Sequence, residues 1–338
     1  MWHRPAIALA TVAIAAGPAQ LHVVADRGEA EAALAIVDML AAGRAPGDAD
    51  WRGLYATRGY QRLKLREAGM GRSFTDADFQ TFLRSPEALA KRANWHTALA
   101  SWRIDMADEA AAKALAYLPP GTVLRATIFP MIKPQHNQFV NGLGSDPAIY
   151  LYLDAAVSPA KNRNTMAHEL HHIGMGAACP DVSAADPRVA TLLHWTSAFS
   201  EGLAMLAAAG GPSIHPHADS PAAEQAEWDR NIAQFTPQLR EQEAFFRAVL
   251  AGTAGDQAAV EAKMRGYFGM QGPWYTVGWR MAQVIEQQLG RPRLIDAFCH
   301  GNALLATYNE AAARHNAAGG ASLPLWDATL AARLAARR

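Results

Sequence analysis

Helical patterning covers most of this chain, and strand-like patterning is confined to one short region. Ala-rich segments from about Ala25 to Leu118 predict a run of helices, and within it SFTDADFQTFLRS predicts a helix capped by Ser73 or Thr75. The sequence PPG at 119–121 ends this run. The β-branched stretch TVLRATIFPMI and the segment Ala148–Asp154 then each predict a strand.

Helical patterning resumes after Ser158 and continues to the C-terminus. We expect Gly174 or Gly176 to end the first of these helices, and the glycine pair at 210–211 to end the second. The predicted helices are Pro159–Ile173, Thr196–Ala209, Trp274–Leu289 and Asn302–Asn316. The pattern therefore predicts a predominantly α-helical α+β fold, with a small sheet directly before the first of these helices.

Length and charge restrict the class of protein. The 338 residues allow one large domain or two modest ones, and 50% hydrophobic with 18% charged residues is an ordinary globular balance. Basic and acidic residues number 31 each, so this neutral chain without basic runs gives no electrostatic reason to expect nucleic acid as a partner. We predict one unit over 20–338, in which the part 20–176 carries the sheet and the part 177–338 is helical.

The first twenty residues have the layout of a secretory signal. One Arg is followed by an uncharged apolar run over Ala6–Ala16, and then by small residues at Gly17 and Ala19. This predicts a signal peptide over 1–19 and an exported protein, periplasmic or secreted; the alternatives are an amphipathic N-terminus or a wrongly chosen start codon. The run is too short to span a bilayer permanently, and no later stretch reaches the length of a membrane helix.

The two cysteines leave two interpretations open. In an exported protein, Cys179 and Cys299 could form one disulfide that closes a long loop. They could equally be two small buried hydrophobic residues, because separation in sequence decides nothing about distance in space.

The segment TMAHELHHIGMG contains the pattern H-E-x-x-H, formed by His168, Glu169 and His172. Residues four apart on an α-helix lie on nearly the same face, so both imidazoles can point at one ion. Glu169 emerges beside that ion, where its carboxylate can take a proton from a water that the ion holds. Apolar neighbours such as Leu170 indicate a buried helix, and His171 is predicted to face away from the pair as packing or polar surface.

A hydrolytic zinc site usually has three protein ligands. The metzincin pattern is excluded, because Ala178 stands where its third His would be and Met175 stands where a Gly would precede it. The next candidate is Glu201, which lies in the predicted helix WTSAFSEGLAML. The small residues Gly202 and Ala204 would let this helix approach the first one closely. We therefore predict Glu201 as the third ligand.

Two other side chains compete for a role at the metal. Cys179 could offer a thiolate, but it lies just past the first helix, beside Pro180, and brings no closely packing helix. His194 precedes the Glu201 helix and could orient a ligand, although a lone His is more often structural. The alternative to any metal site is a chance motif, with two ordinary histidines beside a solvated Glu.

These residues resemble the gluzincin peptidases, in which the two His of H-E-x-x-H and a Glu on a following helix bind the metal. The resemblance is most marked to bacterial zinc-dependent peptidases of no assigned physiological role, which combine an HELHH-like helix, an EGLA helix and a later YxxGxxMA segment. All three segments occur here, at His168–His172, Glu201–Ala204 and Tyr275–Ala282, and the first 150 residues match only in general character.

The resemblance implies a zincin-like fold and one zinc ion held by His168, His172 and Glu201. It implies that Glu169 is the general base and proton shuttle. It also implies that the phenol of Tyr275 donates to the tetrahedral oxyanion. Taken by itself, Tyr275 could equally be a core aromatic residue of an amphipathic helix.

One position departs from the family pattern. Some gluzincins have an Asp four residues after the third ligand, which holds a metal-binding His in orientation. Here that position is Met205, so the orienting partner is not identified by the sequence.

We therefore predict zinc-dependent hydrolysis of peptide bonds, with a peptide or protein as substrate. A strand near Ile149–Leu153 is expected to offer its edge to an extended peptide. The alternatives are a zinc hydrolase of non-peptide amides or esters, an exported helical protein that binds zinc or peptides without catalysis, and a metal-free helical protein.

Overall fold

A computed structural model of the protein describes residues 20–103, 105–136, 138–142 and 146–336. The predicted signal peptide, residues 1–19, lies outside these described residues, so its presence stays a prediction. Within the described part of the chain, no helix is both long enough and apolar enough to cross a membrane.

The part of the chain that the structure describes contains four strands, which form one mixed sheet in the order β1-β2-β4-β3. They are β1 (Gln20–Ala25), β2 (Val123–Met131), β3 (Phe139–Asn141) and β4 (Ala148–Tyr152). β1 and β4 run parallel to β2 on its two sides, and β3 runs antiparallel to β4. The two predicted strands are confirmed as β2 and β4, and the sheet contains two further strands that the pattern did not indicate.

The strand predicted to offer an edge to substrate is an inner strand. Ile149 of β4 pairs with Ile128 of β2 on one side and with Val140 of β3 on the other. The prediction for Ile149–Leu153 is therefore wrong where β3 covers β4. Among the described residues, β3 is the edge strand on this side of the sheet.

Helices make up most of the described chain, which confirms the predominantly helical α+β class. In the described ranges, six helices connect β1 to β2, since parallel strands need a long crossover, and ten follow β4. In chain order the helices are α1 (Gly28–Ala41), α2 (Asp48–Ala56), α3 (Arg58–Gly69), α4 (Asp76–Leu83), α5 (Pro86–Ala100), α6 (Met106–Leu115), α7 (Pro159–Ala178), α8 (Pro187–Thr196), α9 (Ser200–Ala209), α10 (Ala222–Ile232), α11 (Phe235–Ala251), α12 (Gln257–Gly266), α13 (Pro273–Leu289), α14 (Arg291–Cys299), α15 (Leu304–Ala317) and α16 (Ala328–Ala335), with short 3₁₀ segments at Ser197–Phe199 and Gly301–Ala303.

The helix that carries H-E-x-x-H, α7, is longer than its glycines predict. It begins after Ser158, whose hydroxyl caps the first turn, and continues through Gly174 and Gly176 to Ala178. Gly174 serves packing instead of ending the helix, because a Cβ at this position would lie 2.2 Å from Cδ1 of Leu118. The predicted end of this helix at Gly174 or Gly176 is therefore wrong.

Local capping signals elsewhere agree with the structure. Thr75, one of the two predicted caps, accepts a hydrogen bond from the backbone N–H of Asp78 at the start of α4. The predicted helix around Glu201 consists of a 3₁₀ segment followed by α9. Its predicted end at Gly210 is confirmed. Gly210 has a φ of 98°, a left-handed conformation that glycine adopts without steric cost. The sequence did not indicate α8, which begins after the cap residue Asp186.

Two hydrophobic cores meet at the contact between α7 and α9. The core of the sheet and the N-terminal helices includes Met166, Leu170 and Ile173 of α7. The core of the C-terminal helices includes Leu203 and Leu206 of α9. Because α7 also packs against β2 and α9, it joins the sheet to the C-terminal helices.

Two glycines bring the backbones of α9 and α13 into contact. A Cβ on Gly202 would lie 1.9 Å from the backbone N of Trp279, and a Cβ on Gly278 would lie 2.4 Å from the carbonyl O of Phe199. We expected Gly202 to serve the approach of α7, but its nearest neighbours belong to α13. This contact places Tyr275, one turn before Gly278, next to α9.

We expect Gly202→Ala to lower the free energy of unfolding by about 3 kcal/mol, because the added methyl overlaps backbone atoms of α13. Gly53→Ala in α2 is the matched control, since a Cβ at Gly53 meets nothing within 4 Å and Ala favours a helix over Gly. Urea denaturation of both variants measures the difference. Equal unfolding midpoints would contradict the close contact of α9 and α13.

Candidate metal centre

Three candidate ligand atoms converge where α7 faces the first turn of α9. His168 and His172 lie one turn apart on α7, with Nε2 atoms 3.1 Å apart. Oε2 of Glu201 lies 3.1 Å from Nε2 of His168 and 3.2 Å from Nε2 of His172. Among the described residues, these side chains form the one cluster of three or more His, Cys, Asp or Glu whose ligand atoms could share an ion. We call it the ligand cluster.

The geometry of the ligand cluster fits a zinc ion. Atoms about 2.0–2.2 Å from a tetrahedral zinc lie about 3.3 Å from one another. The observed separations are 3.1 and 3.2 Å. Two imidazole nitrogens and one carboxylate oxygen are donors that suit zinc, and three protein ligands leave a fourth position for water.

Burial and mutual charge determine the protonation of the ligand cluster. The Glu201 side chain is 18% exposed, and burial alone would raise its pKa. The charge and hydrogen bonds of His172 and His168 outweigh burial and hold the pKa of Glu201 well below its usual range. Burial would also lower the pKa of His172, but the Glu201 carboxylate raises it above its ordinary value. Glu201 therefore stays ionised, as a metal ligand must be.

Glu169 lies beside the ligand cluster without belonging to it. The residue follows His168 directly on α7, is partly exposed, and lines the same recess as His172 and Glu201. A carboxylate in this place can reach a water next to the cluster, which is what a general base requires.

Tyr275 of α13 faces the ligand cluster. Its ring is nearly parallel to that of His168, at an interplanar angle of 19° and a centroid distance of 6.4 Å. Burial, reinforced by the negative charges of Glu201 and Glu169, raises the pKa of this phenol far above its usual value. The hydroxyl therefore keeps its proton and can donate a hydrogen bond. The neighbouring Trp274 is fully buried, whereas Tyr275 is partly exposed, so Tyr275 is not simply a core residue.

Two further histidines near the site stay outside the ligand cluster. His171 is buried, and its Nε2 lies 3.2 Å from the carbonyl O of Tyr117. Burial lowers the pKa of His171 to about 3, so it is a neutral packing residue, one of the two roles predicted. His194 is exposed, lines the same recess as Glu169, and packs its ring edge-on against Trp195 at 5.4 Å.

Cys179 and Cys299 form a disulfide, which settles the question that the sequence left open and removes Cys179 as a metal ligand. The bond joins the residue after α7 to the last residue of α14 across 120 residues. Closing a loop of this length stabilises a fold by about 2–5 kcal/mol in chain-entropy accounts. The disulfide therefore restrains the end of the helix that carries two of the candidate ligands.

The ligand cluster lies between two recesses. The larger recess, of about 710 Å³, contains Glu169 and is bordered by Val140 of β3. The smaller recess, of about 210 Å³, is lined by His168, Tyr275 and the polar loop, residues 212–221. The Pro- and Ser-containing sequence of this segment predicts only a loop. Within it, residues 215–220 have the sequence HPHADS, in which two His, one Asp and one Ser lie close together. This concentration of ligand-binding side chains is the signal that could have indicated a site.

Among the described residues, no polar partner contacts Nδ1 of His168, the ring nitrogen that faces away from the ligand cluster. This nitrogen is buried. Met205, which stands where some gluzincins have an orienting Asp, lines the smaller recess instead. The orientation of His168 therefore depends on packing within the described part of the chain.

Comparison with known proteins gives one family match. The sequence profile of a family described as "Putative zinc dependent peptidase" matches residues 51–317, well over half of the chain. No curated protein and no solved structure matches. The matched range contains all three residues of the ligand cluster.

Zinc binding tests the ligand cluster without any assay of activity. We expect the wild type to bind one zinc ion per chain and Glu201→Gln to bind at least about 100-fold more weakly, because an amide replaces a charged ligand. His194→Gln is the matched control and should keep the wild-type affinity, since His194 lies outside the cluster. Competition with a zinc-chelating dye measures both. Wild-type affinity in the Glu201 variant would remove that residue from the ligand set.

Proposed function

Because the chain belongs to the family of putative zinc-dependent peptidases, we propose that it is a gluzincin-type metallopeptidase that hydrolyses peptide bonds. One zinc ion would be held by His168, His172 and Glu201. The observation that carries the proposal is the convergence of their ligand atoms at 3.1–3.2 Å beside the carboxylate of Glu169. The mixed sheet directly before α7 supports a zincin-like fold.

Two side chains move or hold the protons of the reaction. When bound, zinc supplies a Lewis acid that lowers the pKa of a water and polarises the scissile carbonyl. Glu169 accepts a proton from the attacking water and returns it to the nitrogen of the leaving amine. Tyr275 donates a hydrogen bond to the carbonyl oxygen as negative charge develops there, because burial and the nearby carboxylates keep its proton in place.

An extended peptide would lie along β3. Among the described residues, β3 is the edge strand beside β4, and its Val140 borders the larger recess next to Glu169. The free backbone groups of an edge strand pair with a substrate backbone in the way that strands pair with each other. In this proposal β3 takes the role that we predicted for β4.

The disulfide supports an exported protein. Disulfides persist in oxidising compartments and are rare in the cytosol, and Cys179 and Cys299 are joined. Together with the secretory layout of residues 1–19, this bond favours the periplasm or the extracellular space as the place where the protein works.

Glu169→Gln separates metal binding from catalysis. We expect this variant to keep one zinc ion per chain and to lose about 100- to 10,000-fold in kcat/KM, because the amide cannot accept the water proton. Hydrolysis of a quenched fluorescent peptide library, with and without a chelator, measures the loss. Undiminished activity in the variant would refute the role of Glu169. A wild-type enzyme that cleaves esters or other amides but no peptide would refute the substrate class.

Tyr275→Phe should lower kcat by about 100-fold and leave KM nearly unchanged, because its hydrogen bond strengthens only as charge develops on the oxygen. Tyr308→Phe is the matched control: this buried hydroxyl donates to the carbonyl O of Pro324 at 2.9 Å and lines neither recess. Steady-state kinetics on one library peptide gives both constants. Equal kcat values in the two variants would leave Tyr275 without a part in the reaction.

A further inference from the structure

The smaller recess has a position and a chemistry that the proposed reaction does not use. Its volume of about 210 Å³ is suited to one amino-acid side chain. His168 and Tyr275 line it, so a group bound there lies next to the reacting carbonyl. The recess is bounded by α7, α9, α10, α13 and the polar loop, and most of its hydrogen-bonding side chains come from α7 and the polar loop.

The first two turns of α7 hold the polar loop in place. Nδ2 of Asn164 donates to Oδ2 of Asp219 at 2.8 Å, and the hydroxyl of Ser158 donates to the carbonyl O of Asp219 at 3.5 Å. Lys161 forms an ion pair with Glu224, just after the loop, at 2.5 Å. The wall of the recess is therefore fixed by contacts to the same helix that carries His168.

Among the described residues that line this recess, Asp219 is the one charged side chain without an ion pair. Lys161 and Glu224 neutralise each other. Burial lowers the pKa of His217 to about 4, so its ring adds no positive charge at neutral pH. Asp219 accepts a hydrogen bond from the amide of Asn164 and, among the described residues, has no cationic side chain within 4 Å. Lys113 donates to Oδ1 of the same amide at 2.6 Å, so its positive charge acts on Asp219 through Asn164, and Lys113 itself does not line the recess. The exposed Asp219 thus gives the recess a negative end.

Part of the wall is apolar. Met205, Ala208 and the ring of Tyr275 line the recess close to the ligand cluster. An apolar wall with a carboxylate at its exposed end matches a side chain that has a hydrocarbon stem and a cationic head. An acidic side chain would be repelled by Asp219, and an aliphatic one would leave that carboxylate without a partner.

We infer that the smaller recess is a substrate subsite for a basic side chain, Lys or Arg, of a residue next to the scissile bond. The counter-charge is Asp219, and the stem packs on Met205 and Tyr275. This inference rests on the proposed peptidase function and adds the substrate class to it.

Hydrolysis of matched peptides tests the subsite. Three quenched fluorescent peptides would differ only in one residue next to the scissile bond, which is Lys, Leu or Glu. We expect the kcat/KM of the Lys peptide to be about five- to tenfold above that of the other two. Asp219→Asn keeps the acceptor for Asn164 and should abolish this preference by lowering the kcat/KM of the Lys peptide to about that of the Leu peptide. Asp219→Lys should reverse the preference, so that the Glu peptide has a higher kcat/KM than the Lys peptide. Loss of all three peptides in equal proportion in Asp219→Asn would overturn the inference.

Asp229→Asn is the matched control. Asp229 is also an exposed carboxylate in contact with the polar loop, since its Oδ1 lies 3.1 Å from Nε2 of His215. Asp229 does not line the recess. This variant removes the same charge from the neighbourhood and should keep the Lys preference. A loss of preference as large as that of Asp219→Asn would assign the effect to general surface charge and overturn the inference.

A binding measurement distinguishes failure of the subsite from failure of the peptidase proposal. The hydroxamates of Lys, Leu and Glu chelate zinc without being hydrolysed, so their affinities for the zinc-loaded protein do not depend on turnover. We expect the Lys compound to bind about five- to tenfold more tightly than the others and to lose this advantage in Asp219→Asn. That result without cleavage of any peptide would sustain the subsite and refute the peptidase. Equal affinities of the three compounds in the wild type would refute the subsite.

Discussion

The site depends on forcing three electron-rich atoms to within 3.1–3.2 Å of one another. Such atoms repel unless a cation or a shared proton lies between them, so packing around them must hold them together. The spacing of His168 and His172 is set by one turn of α7. The place of Glu201 is set only by how α9 packs, so the α7–α9 contact decides whether a metal centre exists.

The structure fixes both helices from outside the ligand cluster. Gly174 lets α7 lie against the α6–β2 connection, and the Cys179 disulfide restrains the end of the helix. Gly202 and Gly278 let the backbone of α13 touch that of α9, and this contact places Tyr275 beside the cluster. Each restraint is buried or covalent. The cluster is therefore held by the two hydrophobic cores rather than by polar bonds among its own ligands.

Features that act within one or two turns of helix could be predicted from the sequence, and most features that need a distant partner could not. Glu201 is the exception: it lies 29 residues beyond His172, and it was predicted because zinc needs a third donor and the following helix carries a glutamate. The H-E-x-x-H spacing, the Thr75 cap and the end of α9 at Gly210 are local, and the structure shows all three geometries. The helix-ending role given to Gly174 is wrong because that glycine serves a distant packing contact. β3 is too short to show a pattern, and the polar loop acquires its position only when it meets α7.

In the proposed enzyme, the same helix would contribute to both chemistry and selectivity, in separate turns. The middle of α7 carries Glu169 and two ligands, while its first turns hold Asp219 through Ser158 and Asn164. The ligand turn is packed between two cores and tolerates little change. The loop contacts are exposed hydrogen bonds, each contributing about 1 kcal/mol. In the proposed subsite, substitutions in the polar loop would therefore alter which side chain is accepted at small cost in stability, while the geometry of the ligand cluster stays constant.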